Sequence, residues 1–200
     1  VVTMSPGGSL RAEFAPATIV DAPRKSASGI DPRAWPTMFQ ALRKIRPDVV
    51  HTHAPGPLLY GVPAARLAGV RRIVHTSHGA NVTQLTSKSI ALGRVVALLL
   101  TRFVPVSDET AETARSREKI PERLIQVLPN GTPLDRFSPS DETRARIRAE
   151  LGIPADAFVV GTVGRVEAVK NHKLFVASMA KLAPRAHAVL VGGGSLLEEV

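Results

Sequence analysis

Four of the six histidines form two close pairs, His51 with His53 and His75 with His78. Residues two apart in a strand point to the same side, so the first pair would present two imidazoles together. Each pair lies at the end of an apolar run, and open α/β folds build their sites at the carboxyl ends of parallel strands. Histidine is a common zinc ligand, so the four residues could serve a metal-dependent hydrolase. No aspartate or glutamate follows either pair closely, and strand-end histidines bonded to the backbone are the plainer interpretation.

A pair of cations marks a second candidate site. Arg165 and Lys170 follow the run GTVG at 161–164, in a loop that should join a strand to a helix. An arginine fork and a lysine point charge beside the partial positive charge of a helix N-terminus form a site for a diphosphate. Solvated loop charges are the alternative interpretation. The glycines have the wrong spacing for the dinucleotide fingerprint G-x-G-x-x-G.

Glycines mark two further strand ends. Gly79 directly follows His78, and a glycine there lets a ligand approach its neighbour closely. A glycine triple at 192–194 precedes Ser195 and Glu198, which have the spacing of a helix capping box. A well-capped turn between a strand and a helix would explain this second group without any ligand.

Apolar runs of strand length alternate with helix-like segments along the chain, which predicts an α/β fold with a parallel sheet. Ser107 is predicted to cap the helix that follows it, since Asp108 and Glu109 occupy the first turn. Strands are predicted at 49–52, 72–76, 103–106, 125–128, 157–163 and 188–191, and helices at 36–45, 58–68, 89–100, 107–116, 141–151 and 171–182.

The order of these elements predicts two domains. The first covers 1–134, a charged, proline-containing connector covers 135–157, and a second domain begins at 158–200. A single βαβ unit followed by an unfinished helix does not make a domain. We therefore expect the second domain to be incomplete and the chain to be cut at both ends. The opening VVTMSPGG is typical of an interior strand and turn rather than of a signal peptide.

Composition narrows the possible functions. The chain of 200 residues has no cysteine, which excludes a disulfide scaffold, a thiolate zinc site and a cysteine nucleophile. The formal net charge is +9, and residues 1–134 hold 17 basic and 9 acidic side chains. Such a balance suits an anionic membrane, a phosphorylated ligand or a nucleic acid. Aromatic residues make up only 4% of the chain, which argues against a nucleic-acid binder that stacks bases.

Six segments, taken in order, resemble the family 4 retaining glycosyltransferases of the GT-B fold. The resemblance covers nearly the whole chain. The segments are RPDVVHTH (46–53), AARLAGVRRIVHTSHG (64–79), PVSDETAE (105–112), LPNGTPLDRFSP (128–139), VGTVGRVEAVKN (160–171) and VLVGGGSLLEEV (189–200).

The resemblance implies two Rossmann-like, doubly wound parallel-sheet domains, the second of which is incomplete in this chain. The first would take the acceptor and the second a UDP- or GDP-linked sugar, with retained anomeric configuration and with no cofactor or bound metal. Arg165 and Lys170 match the residues that hold the donor diphosphate and neutralise the leaving group. His78 matches a histidine that contacts the donor sugar.

Other matches are carried by small residues. Gly192, Gly193 and Gly194 match a loop that lines the nucleotide pocket, and Asn130 and Gly131 match positions near the same site. Two positions depart from the family pattern, since Asn171 stands where glycine is usual and Gly193 stands where aspartate is common.

Two family motifs fall outside the sequence. The glycine-rich loop of the first strand should precede Val1, and a Glu-x7-Glu motif should lie beyond Val200. We therefore expect these 200 residues alone to be inactive.

The family also implies a setting for the basic part of the chain. Family members often act on lipid-linked or polysaccharide acceptors at the inner membrane face. We expect a cytoplasmic protein with a peripheral membrane contact around the apolar helix 89–100, which is too short to span a bilayer. Basic residues lie around this helix, namely Arg71, Arg72, Lys88, Arg94 and Arg102. A non-catalytic polyanion-binding fragment and the metal-dependent hydrolase are the competing functions.

Overall fold

The computed structural model describes residues 1–4, 9–22, 31–79 and 86–200. These residues form two compact units, Val1–Gly131 and Thr132–Val200. The opening strand is present as β1, whereas the turn predicted for residues 5–8 lies outside the described residues. None of the helices in the described ranges is both long enough and apolar enough to cross a membrane.

The first unit alternates strands and helices as predicted. The elements are β1 (Val2–Thr3), β2 (Val20–Asp21), α1 (Ala34–Ile45), β3 (Val49–His53), α2 (Pro55–Leu67), β4 (Arg72–Ser77), α3 (Ser87–Ala97), β5 (Arg102–Pro105) and α4 (Asp108–Ser116). Strands β3, β4 and β5 form one parallel sheet in that order, and β1 pairs with β2, also in parallel.

Local sequence signals explain where these helices begin. Pro55 occupies the first turn of α2, where its missing N–H costs no hydrogen bond. The Thr86 hydroxyl accepts a bond from the Ser89 N–H at the start of α3. The Ser107 hydroxyl accepts one from the Thr110 N–H at 3.1 Å, so the predicted cap of α4 is confirmed.

Helices and sheet enclose one apolar core in the first unit. Its largest fully buried side chains include Tyr60, Phe103 and Ile73. The Tyr60 hydroxyl is satisfied inside the core because it accepts a hydrogen bond from the Asp31 N–H at 2.7 Å. This packed layer fixes β3 and β4, which carry His51, His53 and His75 and end directly before His78.

The strand predicted at 125–128 forms only in part. Ile125 makes an isolated parallel bridge with Phe103, and the N–H groups of Gln126 and Leu128 donate to the carbonyls of Phe103 and Pro105. The segment therefore lies along β5 without completing a ladder. Pro129, which has no N–H, follows it directly.

The second unit contains α5 (Asp141–Glu150), β6 (Phe158–Val163), α6 (His172–Ala180) and β7 (Ala186–Val191). Strands β6 and β7 pair in parallel over their whole length, from Phe158 with Ala186 to Val163 with Val191. The predicted helix after the glycine triple is absent, since residues 197–199 form only a single 3₁₀ turn.

Candidate functional site

Histidines of the first unit meet at the carboxyl ends of β3 and β4. His53 Nδ1 lies 3.2 Å from His78 Nε2, within hydrogen-bonding distance. His51 Nε2 lies 2.7 Å from the Thr76 hydroxyl on the neighbouring strand. The parallel register, which pairs His53 with Thr76, brings these side chains together.

The rings of His51, His53 and His78 form a continuous row, called here the histidine row. The centroids of His51 and His53 are 4.2 Å apart, and those of His53 and His78 are 5.5 Å apart with planes 24° from parallel. All three side chains are exposed. The row therefore presents imidazoles to solvent at the end of the sheet where a ligand would be expected.

His75 differs from the row because it is buried beneath it. Its exposed fraction is 3%, its Nδ1 lies 2.9 Å from the Thr52 hydroxyl, and its ring packs 5.3 Å from that of Phe103. Burial, helped by the charges of the three row histidines, lowers the pKa of His75 to about 3. His75 is thus a neutral core residue.

Local desolvation also changes the pKa within the histidine row, although its side chains remain largely exposed. Partial burial, followed by the charges of His51 and His78, lowers the pKa of His53 below its usual value. Adding a proton to the middle ring is therefore unfavourable. Within 1–4, 9–22, 31–79 and 86–200 no three His, Asp or Glu side chains are placed to hold a metal ion. This geometry does not favour the metal-dependent hydrolase.

Gly79 connects the row to helix α4. Its φ is +74°, a conformation that side chains rarely adopt, and a Cβ atom there would lie 2.6 Å from the Thr110 hydroxyl oxygen. Thr110 sits in the first turn of α4, whose cap is Ser107. The glycine therefore serves a tight turn and a close approach between the His78 loop and this helix.

In the second unit, the loops that follow β6 and β7 bond to each other through their backbones. The Gly164 N–H donates to the Val191 carbonyl at 2.9 Å, and the Val166 N–H donates to the Gly193 carbonyl at 3.0 Å. Arg165 lies between these two bonds in the chain and remains exposed. The backbone frame thus fixes the loop and leaves the guanidinium free to meet a ligand.

The three glycines of the β7 loop have different roles. Gly192 has a φ of +153°, and a Cβ atom there would collide with the Gly164 carbonyl oxygen. A Cβ atom on Gly194 would lie 2.7 Å from the Val166 nitrogen, whereas one on Gly193 would meet no heavy atom within 4 Å. The backbone of the β6 loop therefore lies directly against Gly192 and Gly194.

Lys170 lies beside the same loop. A Cβ atom on Gly164 would lie 3.8 Å from Lys170 Cε, so the lysine side chain runs along Gly164. Asn171 follows with a left-handed φ of +49° and precedes α6. Asparagine tolerates this conformation better than most residues, which explains how it replaces the glycine that the resemblance implies.

Sequence analysis missed the pairing of Glu167 with Ser195. The Ser195 hydroxyl donates to Glu167 Oε2 at 2.9 Å and its N–H donates to Oε1 at 3.3 Å. These bonds, together with the charge of Arg165, lower the pKa of Glu167. The predicted capping box is wrong, because the hydroxyl of Ser195 is used by Glu167 rather than by a following helix.

The predicted site residues therefore fall into groups. His78 lies in the histidine row of the first unit, whereas Arg165, Lys170 and the glycine triple lie together at the carboxyl ends of β6 and β7. Asn130 and Gly131 are exposed residues at the end of the first unit. Their role stays a prediction.

Comparison with solved structures supports the fold. A UDP complex of HepE from Anabaena matches with a TM-score of 0.75 and 20% identity, covering 95% of this chain and 51% of that one. A glycosyltransferase from Rickettsia africae matches with a TM-score of 0.74 and 20% identity, covering 98% of this chain and 52% of that one. These likenesses confirm the predicted GT-B-like α/β fold class.

Sequence relatives are transferases. An Escherichia coli UDP-Gal:alpha-D-GlcNAc-diphosphoundecaprenol alpha-1,3-galactosyltransferase is 32% identical, over 85% of this chain and 46% of its own length. A Mycolicibacterium smegmatis GDP-mannose-dependent alpha-(1-6)-phosphatidylinositol monomannoside mannosyltransferase is 31% identical, over 76% and 40%. This chain spans less than half the length of these two relatives. The profile of Glycosyltransferase Family 4 matches residues 1–136, and the chain belongs to that family.

Proposed function

We propose that this chain is part of an enzyme that transfers a sugar from a nucleoside-diphosphate sugar to an acceptor, with retention of the anomeric configuration. The observation that carries the proposal is the exposed cation pair, Arg165 and Lys170, held beside the glycine loop of β7. The relatives support a nucleotide-sugar donor, since one is named for UDP-Gal and another for GDP-mannose. We keep both nucleotides as candidates.

Charge explains what the two cations would do. Negative charge builds on the diphosphate as the sugar bond breaks, and fixed cations stabilise that state more than the bound donor. Arginine offers a planar fork to phosphate oxygens, and lysine adds a mobile point charge. Neither side chain forms an ion pair within the described part of the chain. His78 would contact the transferred sugar.

Titration of UDP and GDP into this chain tests the donor site. We expect Arg165→Ala and Lys170→Ala each to weaken binding by about tenfold or more, because each removes a charge-assisted hydrogen bond. Calorimetry or nucleotide-observed NMR measures the change. Arg185→Ala and Lys181→Ala are matched controls, since both are exposed cations of the second unit.

The controls separate the transferase from the polyanion-binding fragment. Equal losses in the test and control variants, with tight binding to heparin and a steep salt dependence, would favour general polyanion binding. A loss confined to Arg165 and Lys170 supports a donor site.

The acceptor side of the proposal rests on an apolar groove in the first unit. The groove has a volume of about 670 Å³ and lies among helices α1, α2 and α3. Helix α2 contributes Leu59, Pro63 and Leu67 at a spacing of four residues, and Leu67 is 76% exposed. The remaining lining residues are Trp35, Pro36, Phe39, Ala64, Leu92 and Val96.

The part of the chain that carries this groove, residues 33–102, has charges almost all of one sign. Arg43 lies 5.9 Å from the ring of Phe39 at the groove wall. Asp48 is the sole acidic residue in the sequence from 33 to 102. The basic residues in that range are Arg33, Arg43, Lys44, Arg46, Arg66, Arg71, Arg72, Lys88, Arg94 and Arg102. An apolar groove in a strongly basic part of the chain suits the headgroup region of an anionic bilayer.

We therefore propose a lipid-linked acceptor, reached while the first unit rests on an anionic membrane surface. The E. coli relative, whose printed name includes a diphosphoundecaprenol substrate, supports this acceptor class. Saccharide and small-molecule acceptors are the alternatives within the same transferase proposal.

Vesicle sedimentation tests the membrane contact. We expect this chain to bind phosphatidylglycerol-containing vesicles and not pure phosphatidylcholine vesicles, with Arg94→Gln reducing binding about fivefold. Leu67→Gln should reduce binding as well, because it places a polar group in the groove. Leu174→Gln is a matched control, being a 62% exposed leucine of α6. Equal binding by all variants, or none to anionic vesicles, would contradict the contact.

A further inference from the structure

His53 and His78 share one hydrogen bond, and the chemistry of imidazole makes this bond a constraint on both rings. The two nitrogens, His53 Nδ1 and His78 Nε2, lie 3.2 Å apart. A neutral imidazole has one N–H donor and one acceptor nitrogen, so the bond exists only if one of these two nitrogens carries a proton and the other does not. The protonated nitrogen of one ring therefore determines that of the other.

The two residues are anchored very differently. His53 is the last residue of β3, paired in register with Thr76 of β4. His78 follows the end of β4 and is joined to Gly79, which takes a left-handed φ of +74°. The strand thus fixes the backbone of His53, whereas His78 stands in a turn. The ring of His78 is positioned through its neighbour.

The His53 ring has a second neighbour, the ring of His51. The His51 ring lies against it with centroids 4.2 Å apart, and His51 Nε2 is held 2.7 Å from the Thr76 hydroxyl. His53 therefore lies between two rings, one of which is fixed to the adjacent strand. A bond from Thr52 to the buried His75 ties the same two strands together beneath the row.

We propose that His53 is a positioning residue, which holds the ring of His78 in one orientation and couples the tautomer of His78 to its own through the Nδ1–Nε2 hydrogen bond. The significance for catalysis rests on the proposed function, in which His78 contacts the transferred sugar. With its Nε2 engaged by His53, His78 keeps Nδ1 as the nitrogen available to a ligand. His51 acts one step further away, by supporting the ring of His53.

The titratable groups that face His53 are the other histidines of this edge. His51 and His78 lie in the row and His75 lies beneath it. Because burial and these neighbours lower the pKa of His53, its ring is neutral at pH 7.5 and retains both a donor and an acceptor nitrogen. The test is therefore made at that pH.

Long-range ¹H–¹⁵N spectra of this chain with labelled histidine would test the proposal, since the ring nitrogen shifts report the tautomer. We expect His53 and His78 to show the same tautomer in the wild type, because only one of the two bonded nitrogens can carry a proton. Two amide variants then test the position of the partner atom. The Asn side chain in His53→Asn places an amide near the position of Nδ1, where it can donate to or accept from His78 Nε2, and should keep the His78 signature of a hydrogen-bonded Nε2. His53→Gln places its amide near the position of Nε2 and should lose that signature.

A control and a contrary result complete the test. His187→Gln, in β7 of the second unit, should leave the His78 signals unchanged. Backbone ¹H–¹⁵N spectra show that each variant is folded. An unchanged His78 signature in His53→Gln, or equal loss in His53→Asn and His53→Gln, would overturn the proposal.

The result is independent of the donor titration, because the spectra are recorded without nucleotide. A failed UDP and GDP titration would remove the proposed function and leave the ring measurement standing.

Discussion

The two candidate sites are stabilised by different kinds of bonds. At the end of β3 and β4, side chains bond to side chains, as in the pairs His53–His78 and His51–Thr76. At the end of β6 and β7, backbone bonds to backbone, through Gly164 with Val191 and Val166 with Gly193. The comparison shows that a parallel sheet edge can fix either the functional groups themselves or only the loop that carries them.

This difference has consequences for binding. The histidine row is already ordered by its own hydrogen bonds, so a ligand would meet groups of fixed direction. Arg165 and Lys170 stand on a fixed loop but remain exposed. Their side chains can turn toward a phosphate, at the cost of the rotamer entropy that long cations lose when they bind.

The largest effect should follow from breaking the backbone frame of the second unit. Gly192→Ala puts a methyl group against the Gly164 carbonyl oxygen and strains a φ of +153°. We expect a loss of about 3 kcal/mol or more in the stability of this unit, and loss of nucleotide binding with it. Gly193→Ala is the matched control, since its Cβ would meet no heavy atom within 4 Å.

Urea unfolding, together with exchange of the Gly164 amide, would measure this effect. Equal stability of the two alanine variants would show that the loops after β6 and β7 can move apart without lowering the stability of the second unit. The frame would then have no role in holding Arg165.

The next effect concerns pH and the first unit. His75 has a folded pKa of about 3, well below its usual value, so the unfolded chain binds more protons between pH 3 and about 6.5. Stability should therefore be complete above this range and fall as the pH decreases through it. For this one group we expect a loss of about 2 kcal/mol between pH 7 and pH 5.

Urea unfolding of the wild type and of His75→Gln at the two pH values measures the contribution. The variant is less stable at pH 7, because it disturbs the bond with Thr52, but it should lose about 2 kcal/mol less on acidification. Equal pH dependence of the two proteins would show that His75 is not the responsible group.

Elements and their order are predictable from this sequence because their signals are local. Apolar runs mark the strands, and Ser107 with its acidic neighbours marks the start of α4. The positions of Arg165 and Lys170 can also be predicted, because the end of β6 and the start of α6 mark the limits of the loop that carries both residues. Each of these inferences uses residues that are close in the chain.

Contacts between distant segments are not predictable in this way. Glu167 and Ser195 are 28 residues apart and meet only because the β6 and β7 loops come together. His53 and His78 are 25 residues apart and depend on the register of two strands. A serine followed by a glutamate three residues later indicates a cap, and nothing local shows that a distant carboxylate takes its hydroxyl.

A smaller effect should follow at the turn beside the histidine row. Gly79→Ala must adopt a φ of +74° and bring a methyl group within 2.6 Å of the Thr110 hydroxyl oxygen. We expect a loss of about 1–2 kcal/mol, less than for Gly192 because a side chain can yield where a carbonyl cannot. Thr110→Ala in the same background should recover part of the loss, because it removes the hydroxyl oxygen that the new Cβ would meet.

The smallest effect should follow from the side-chain contact between Glu167 and Ser195, which joins the loops after β6 and β7. Glu167→Gln keeps the shape of the residue and removes the charge that accepts two bonds from Ser195. The backbone bonds between the loops remain, so we expect nucleotide binding to persist and the Ser195 amide to exchange about threefold faster. Loss of nucleotide binding in this variant would mean that a side chain, and not the backbone, holds the loop of Arg165. The contrast between the two sheet edges would then disappear, because both sites would depend on side chains bonded to side chains.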